Sequence, residues 1–182
     1  MTLYPPSESA ALLDGIRAFI EPAHVRTDSD SALTYGRDWT RLHTPNPLAV
    51  VLPGRIEQVQ QLVRYANEHR LPLVPSGGRT GLSGAAVACQ GEIVVSLERL
   101  NRILDFDPVD RSMTCQAGVV TEVVQNFARD HGLYYPVDFA SRGSSQFGGN
   151  IATNAGGIKV LRYGPTGDGA TRLKVGTGRG GP

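Results

Sequence analysis

Apolar residues along this chain fall into short periodic stretches, and their spacing predicts alternating helices and strands. Between Ser7 and Ile20, Leu12, Ile16, Phe19 and Ile20 keep the i, i+4, i+7, i+8 spacing of one buried helical stripe, weakened by Gly15. LAVVLP, residues 48–53, is a short β-branched run that reads as a buried strand. Val59, Leu62, Val63 and Ala66 stand at i, i+3, i+4 and i+7, so 55–69 is expected to be a helix, with LPLVP (71–75) as the next strand. Strand, helix and strand in that order fit a βαβ unit, because parallel strands require a crossover. EIVVSL (92–97) reads as another strand, and Met113, Cys115 and Ala117 alternate with polar neighbours as in a half-buried one. Thr121 is expected to cap a helix through His131, with Val123, Val124, Phe127 and Ala128 on one face and Gly132 ending it. YGRDWT (35–40) falls in an irregular polar stretch that closes at the turn signal TPNP. The end, GPTGDGATRLKVGTGRGGP, has neither period and reads as loop or disorder.

Charge excludes little but narrows the partners. Eighteen basic against 17 acidic residues leave a net +1, which gives no electrostatic case for nucleic acid or an acidic membrane. No apolar run approaches the ~20 residues of a membrane span, and the N-terminus lacks the basic start and apolar centre of a secretion signal. Cys89 and Cys115 are far apart with no CxxC, which favours reduced thiols in a cytoplasmic protein. Glycine is the outlier, 22 of 182 residues, about 12% against an average of about 7%.

The glycines concentrate in two tracts. PSGGRTGLSG (75–84) follows a predicted strand directly, and GSSQFGGNIATNAGG (143–157) interleaves five glycines with Ser144, Ser145, Gln146, Asn150, Thr153 and Asn154. Taken singly, each is equally read as tight turns packed on a sheet. Together they point to one shared anionic ligand, because successive main-chain N–H groups in such turns form concave anion sites. Neither GxxxxGK[ST] nor GxGxxG between strand and helix is present, since Gly78, Gly81 and Gly84 recur at intervals of three. What remains is a dinucleotide or similar phosphate ligand on a different backbone.

VPSGGRTGLSGAA, CQAGV, YYPVDFASRGSSQFGGNIATNAGG and LRYG together resemble the FAD-binding domain of the vanillyl-alcohol oxidase and p-cresol methylhydroxylase family. Within it the chain is most similar to the D-2-hydroxy-acid dehydrogenase branch. The resemblance runs from about Tyr35 to Gly164 and implies an α+β fold of the p-cresol methylhydroxylase type, with two α/β subdomains. Its implied organisation is an N-terminal helical segment over 1–34, an FAD-binding domain over 35–164 whose second lobe starts near 92, and an irregular tail over 165–182.

The resemblance also implies roles. The first loop would wrap the FAD pyrophosphate with Ser76, Gly77, Gly78, Arg79, Thr80 and Gly81. The second would lie along pyrophosphate and flavin with Ser141, Ser145, Gly148, Gly149, Asn150, Thr153 and Asn154, headed by Pro136 and Asp138. Arg79 can add charge-assisted bonding or simply face water. Some relatives attach flavin through a histidine in the first loop; this loop has none, so non-covalent FAD is expected.

In that branch the base, the cation for the substrate carboxylate and often a metal come from a C-terminal substrate domain, which this chain is expected to lack. His24, His43, His69 and His131 form no i, i+4 metal pair, and Ser83 and Ser144 lack the GxSxG elbow, so neither a catalytic residue nor a metal ligand is assigned. The tail departs from the family where a buried strand is expected, as in a truncated product, a disrupted reading frame or a piece cut from a longer chain. The parent activity implied is FAD-dependent oxidation of a D-2-hydroxy acid of the lactate, glycolate or 2-hydroxyglutarate type. The alternative is a non-catalytic remnant that at most binds a nucleotide.

Overall fold

The computed structural model describes residues 4–181. The chain divides into two compact units: residues up to Arg99 joined by the segment from Lys174, and Leu100–Leu173. The boundary lies beyond the expected position near 92, because the strand predicted at 92–97 completes the sheet of the first unit.

In the first unit, helix α1 (Pro6–Arg17) buries Leu12, Leu13 and Ile16. It opens on proline, whose missing N–H is not needed in a first turn, and ends short of the predicted Ile20. Gly15 has a packing reason. A Cβ there would stand 2.6 Å from Cζ of Tyr65, whose hydroxyl donates to the Leu12 carbonyl at 3.1 Å. Strand β1 (Val25–Arg26) and helix α2 (Ser29–Tyr35) follow, so the stretch assigned to an N-terminal helical segment is part of this unit. The spacing did not predict α2. Its start is fixed by Asp28, which accepts the Ser31 N–H at 2.8 Å.

Strands β2 (Ala49–Val51), β3 (Leu73–Ser76) and β4 (Ile93–Ser96) and helix α3 (Ile56–His69) lie where periodicity placed them. The sheet order is β1-β2-β4-β3, with β4 parallel to both neighbours and β1 antiparallel at the edge. The βαβ connection therefore skips one position, and β4 fills the gap. Its residues Ile93, Val94, Val95 and Ser96 are all buried, as in a parallel strand covered on both faces. Val51, Ile93 and Val95 pack with Leu12, Ile16 and Leu62 in one cluster, while Val50, Leu52 and Val94 pack with Tyr35 and Ala88 in another. Residues 77–92, which carry the first glycine loop, are the crossover from β3 to β4.

The second unit begins with an antiparallel hairpin of β5 (Ile103–Asp107) and β6 (Ser112–Cys115); only β6 was foreseen. Helix α4 (Thr121–Asp130) buries Val124 and Ala128 and sets Phe127 edge-on to Phe106, 5.3 Å between ring centres. Two details of the expected helix are corrected. Val120, not Thr121, is the N-cap, because the Thr121 hydroxyl is engaged elsewhere; and Val123 is exposed. Gly132, at φ +68, does follow the helix end. Within the second glycine tract lies the short helix α5 (Phe147–Ala152), and α6 (Val160–Tyr163) follows the tract. The tail is irregular apart from a 3₁₀ turn at Thr166–Gly169. Among the described residues no helix is long and apolar enough to cross a membrane.

Candidate functional site

The first loop leaves the carboxyl end of β3, the end of an open parallel sheet at which ligands characteristically bind. Ser76, the last residue of the strand, is buried and donates its hydroxyl to the Tyr35 carbonyl at 2.9 Å. From Gly77 to Ser83, among the described residues, none of the main-chain N–H groups donates to an acceptor within the protein. Seven consecutive free donors are a concentrated partial positive charge. An added Cβ at Gly81 would meet nothing within 4 Å, so open space adjoins the main chain there. Arg79 has a left-handed φ of 57°, a conformation that costs a side-chain-bearing residue about 1–2 kcal/mol. One guanidinium nitrogen donates to the Gly77 carbonyl at 2.9 Å, and the group lies 4.9 Å from the centre of the Tyr35 ring. Arg79 is therefore stacked on the protein with donors to spare.

Tyr35 is the residue that pattern reading missed. Its buried phenol donates to Glu98 at 2.8 Å, and burial, followed by that contact, raises its pKa. Asp38, also unforeseen, is buried and bonded to the end of the loop at Gly84. Both belong to YGRDWT, whose lack of period hid them.

The second tract is different in kind. The Thr121 hydroxyl meets the Ser145 hydroxyl at 2.7 Å and accepts from the Asn150 amide at 2.7 Å, all three residues being buried. Ser145 and Asn150 thus spend their side chains inside the unit. Ser141 lends its carbonyl to the N–H groups of Ser144 and Ser145. Gly148 is a close-packing residue, since a Cβ there would sit 2.7 Å from that of Ala117. The Asn154 amide oxygen accepts the Gly167 N–H at 2.9 Å, and the Thr153 hydroxyl donates to the Gly149 carbonyl at 2.9 Å. Asp138 pairs with Arg142 at 3.0 Å and Lys159 at 3.6 Å, and the Arg142 contact above all lowers its pKa. Pro136 leads into Val137, whose carbonyl accepts from Gln125 at 2.9 Å. Among the described residues two features stay open to a ligand: Gly149, with nothing within 4 Å of an added Cβ, and the buried Gln146 side-chain oxygen, which has no partner there.

A depression of about 510 Å³ in this unit is lined by Glu122, Asp138, Phe139, Arg142, Gly143 and Ile158. Its guanidinium already faces Glu122 and Asp138, so it offers no unbalanced cation to an anion. Among the described residues no group of three His, Cys, Asp or Glu side chains is placed to share a metal. His131 closes α4, stacked on Phe127 with 4.2 Å between ring centres.

In the first unit, main-chain donors without acceptors beside a glycine that faces open space fit a phosphate-bearing ligand, and FAD carries a pyrophosphate. A family model described as FAD binding domain matches residues 47–181. The D-2-hydroxyglutarate dehydrogenase of Stutzerimonas stutzeri (strain A1501) is 59% identical over 170 residues, 93% of this chain and 37% of that protein. The D-2-hydroxyglutarate dehydrogenase of Xanthomonas citri pv. viticola is 61% identical over 156 residues, 86% of this chain and 33% of that one. The chain thus spans about a third of the length of these relatives. Among solved structures, p-cresol methylhydroxylase with substrate bound aligns over 85% of this chain and 31% of its own, with a TM-score of 0.70 at 21% identity. An alkyldihydroxyacetonephosphate synthase aligns over 91% and 36%, with a TM-score of 0.79 at 23% identity. At those identities the likeness is one of fold.

Proposed function

This chain belongs to the FAD binding domain family, and we propose that it is the flavin-holding part of an enzyme that oxidises D-2-hydroxyglutarate, or a close D-2-hydroxy acid, to the 2-oxo acid. FAD is its cofactor. The names of the two bacterial relatives support the choice of substrate.

The run of free N–H groups from Gly77 to Ser83 carries the reading of the site. In it, Gly77, Gly78 and Gly81 hold the pyrophosphate through main chain, where a Cβ would collide with phosphate oxygens, and Thr80 adds its own N–H. Arg79 adds charge-assisted bonding from a guanidinium already braced on Tyr35. In the second tract, Gly149 and the Gln146 amide oxygen are the groups whose chemistry suits the flavin. Ser145, Gly148 and Asn150 act one step back, by fixing the shape of that turn. When bound, the flavin supplies the two-electron acceptor for the alcohol. The groups that take the hydroxyl proton and hold the substrate carboxylate belong, on this reading, to the part of such enzymes that this chain does not span.

Absorbance of the purified chain, alone and after FAD addition, tests the reading. Yellow protein that releases its flavin on denaturation is expected, with Gly78→Asp losing it by setting a negative charge beside the phosphates. A colourless chain that ignores added FAD would leave the non-catalytic remnant as the better description. Addition of D-2-hydroxyglutarate and an electron-accepting dye to the isolated chain is expected to give no turnover.

A further inference from the structure

We propose that Asp38 is a positioning residue: its buried carboxylate sets the shape of the loop from Gly77 to Gly84 before any ligand arrives. Apart from the segment Tyr35–Thr40, little holds the loop. Its own N–H groups from Gly77 to Ser83 make no bonds among the described residues, and glycine at 77, 78, 81 and 84 leaves its backbone free to wander. The segment from Tyr35 to Thr40 meets it at three points and the strand residue before it at a fourth. The Tyr35 carbonyl accepts from Ser76 at 2.9 Å, the Tyr35 ring carries the Arg79 guanidinium, the Trp39 N–H donates to the Gly81 carbonyl at 3.2 Å, and the Asp38 carboxylate accepts the Gly84 N–H at 3.0 Å.

Asp38 organises this segment as well as the loop. One carboxylate oxygen accepts the Thr40 N–H at 3.0 Å and the Thr40 hydroxyl at 2.6 Å, and the other takes Gly84. The side chain is only 4% exposed, and no cation pairs with it among the described residues. A carboxylate buried without a counter-ion is unfavourable unless donors surround it, and here three do. The same donors, the Thr40 hydroxyl foremost, lower its pKa, so it stays ionised and acceptor-only at neutral pH. Gly84 is at φ +82, which a side-chain-bearing residue rarely adopts, so the position bonded to Asp38 is also one that fixes the direction of the chain. A carboxylate repels phosphate. Asp38 therefore acts through the loop and not on the ligand. Holding the loop in shape beforehand removes an ordering cost from binding.

The consequence for affinity rests on the FAD reading above; the consequence for the loop does not. The test is hydrogen exchange on the full ligand-free chain, followed by FAD titration, for wild type, Asp38→Ala and the size-conserving Asp38→Asn. Asp38→Ala is expected to speed exchange at the bonded N–H groups of Trp39, Thr40 and Gly84 by about tenfold or more while α3 and β4 keep their protection. Asp38→Asn, which retains one strong acceptor oxygen, should fall between. FAD should bind Asp38→Ala about tenfold or more weakly, with Asp38→Asn again intermediate. Unchanged loop exchange, or equal loosening of loop and core, overturns the proposal, and so does a loosened loop that binds FAD as tightly as wild type. If Asp38→Ala does not fold, Asp38→Asn decides by the same criteria. Failure of the wild type to bind FAD would remove the functional reading and leave the exchange result to judge Asp38.

Discussion

Gly157 lies against the main chain of Asp138: a Cβ at 157 would stand 2.9 Å from the Asp138 carbonyl carbon and 3.0 Å from its nitrogen. The obstacle is backbone and cannot rotate aside. The Ile158 N–H, next along, donates to the same Asp138 carbonyl at 3.0 Å and locks the approach. Gly157→Ala is therefore expected to destabilise the second unit by about 1–3 kcal/mol, the usual size of overpacking. Gly176→Ala, where nothing stands within 4 Å, should shift chemical unfolding by less than about 0.5 kcal/mol.

The buried hydroxyl of Thr121 serves both Ser145 and Asn150. Thr121→Val keeps the shape and removes the hydroxyl, which strands the Asn150 amide. A loss of roughly 1–3 kcal/mol in denaturant unfolding is expected. Restoration by Thr121→Ser would show that the hydroxyl, not the methyl, carries the effect.

Gly149 separates ligand contact from stability. It lies in the first turn of α5 with open space around it, so Gly149→Ala should leave stability unchanged or raise it by up to about 1 kcal/mol, as alanine does in helices. FAD affinity should nonetheless fall if that open space belongs to the cofactor. A stable variant with wild-type affinity would remove Gly149 from the site.

Acid should destabilise the protein through two carboxylates in particular. Thr40 lowers the pKa of Asp38, and Arg142 that of Asp138, below the ordinary 3.8. As pH falls, the unfolded chain takes up these protons first. The stabilisation is complete above the ordinary carboxylate range and disappears as pH drops through the lower folded values. Thermal midpoints should hold steady from neutrality to about pH 5 and then decline, less steeply in Asp138→Asn.

At the alkaline end the sign reverses. Burial, then the nearby Cys115 thiol, pushes the Tyr135 phenol up to about 12. The folded chain keeps that proton where the unfolded chain gives it up, so this contribution is whole below the ordinary value of 10.0 and is lost as pH rises toward about 12. Ultraviolet titration should show a phenolate still forming as pH approaches about 12, and that part of the titration should be absent from Tyr135→Phe.

Much of this molecule was written in local spacing. Helices α3 and α4 and strands β2, β3 and β4 follow from the recurrence of apolar residues, because burial of a stripe or an alternate row depends on near neighbours alone. The two glycine tracts and their order along the chain sufficed to identify the family. Spacing said nothing of partners remote in sequence. That β4 fills the place between β2 and β3, and so makes the first glycine loop a crossover, depends on which strands pair. Asp38 meets Gly84 across 46 positions, and Thr121 meets Asn150 across 29. Such hydrogen bonds have no period to betray them. The sequence by itself determined that bare main chain stands at the end of a strand. Tertiary structure decided which bare stretch keeps its donors free and which consumes them, since that depends on the acceptors that folding brings within reach.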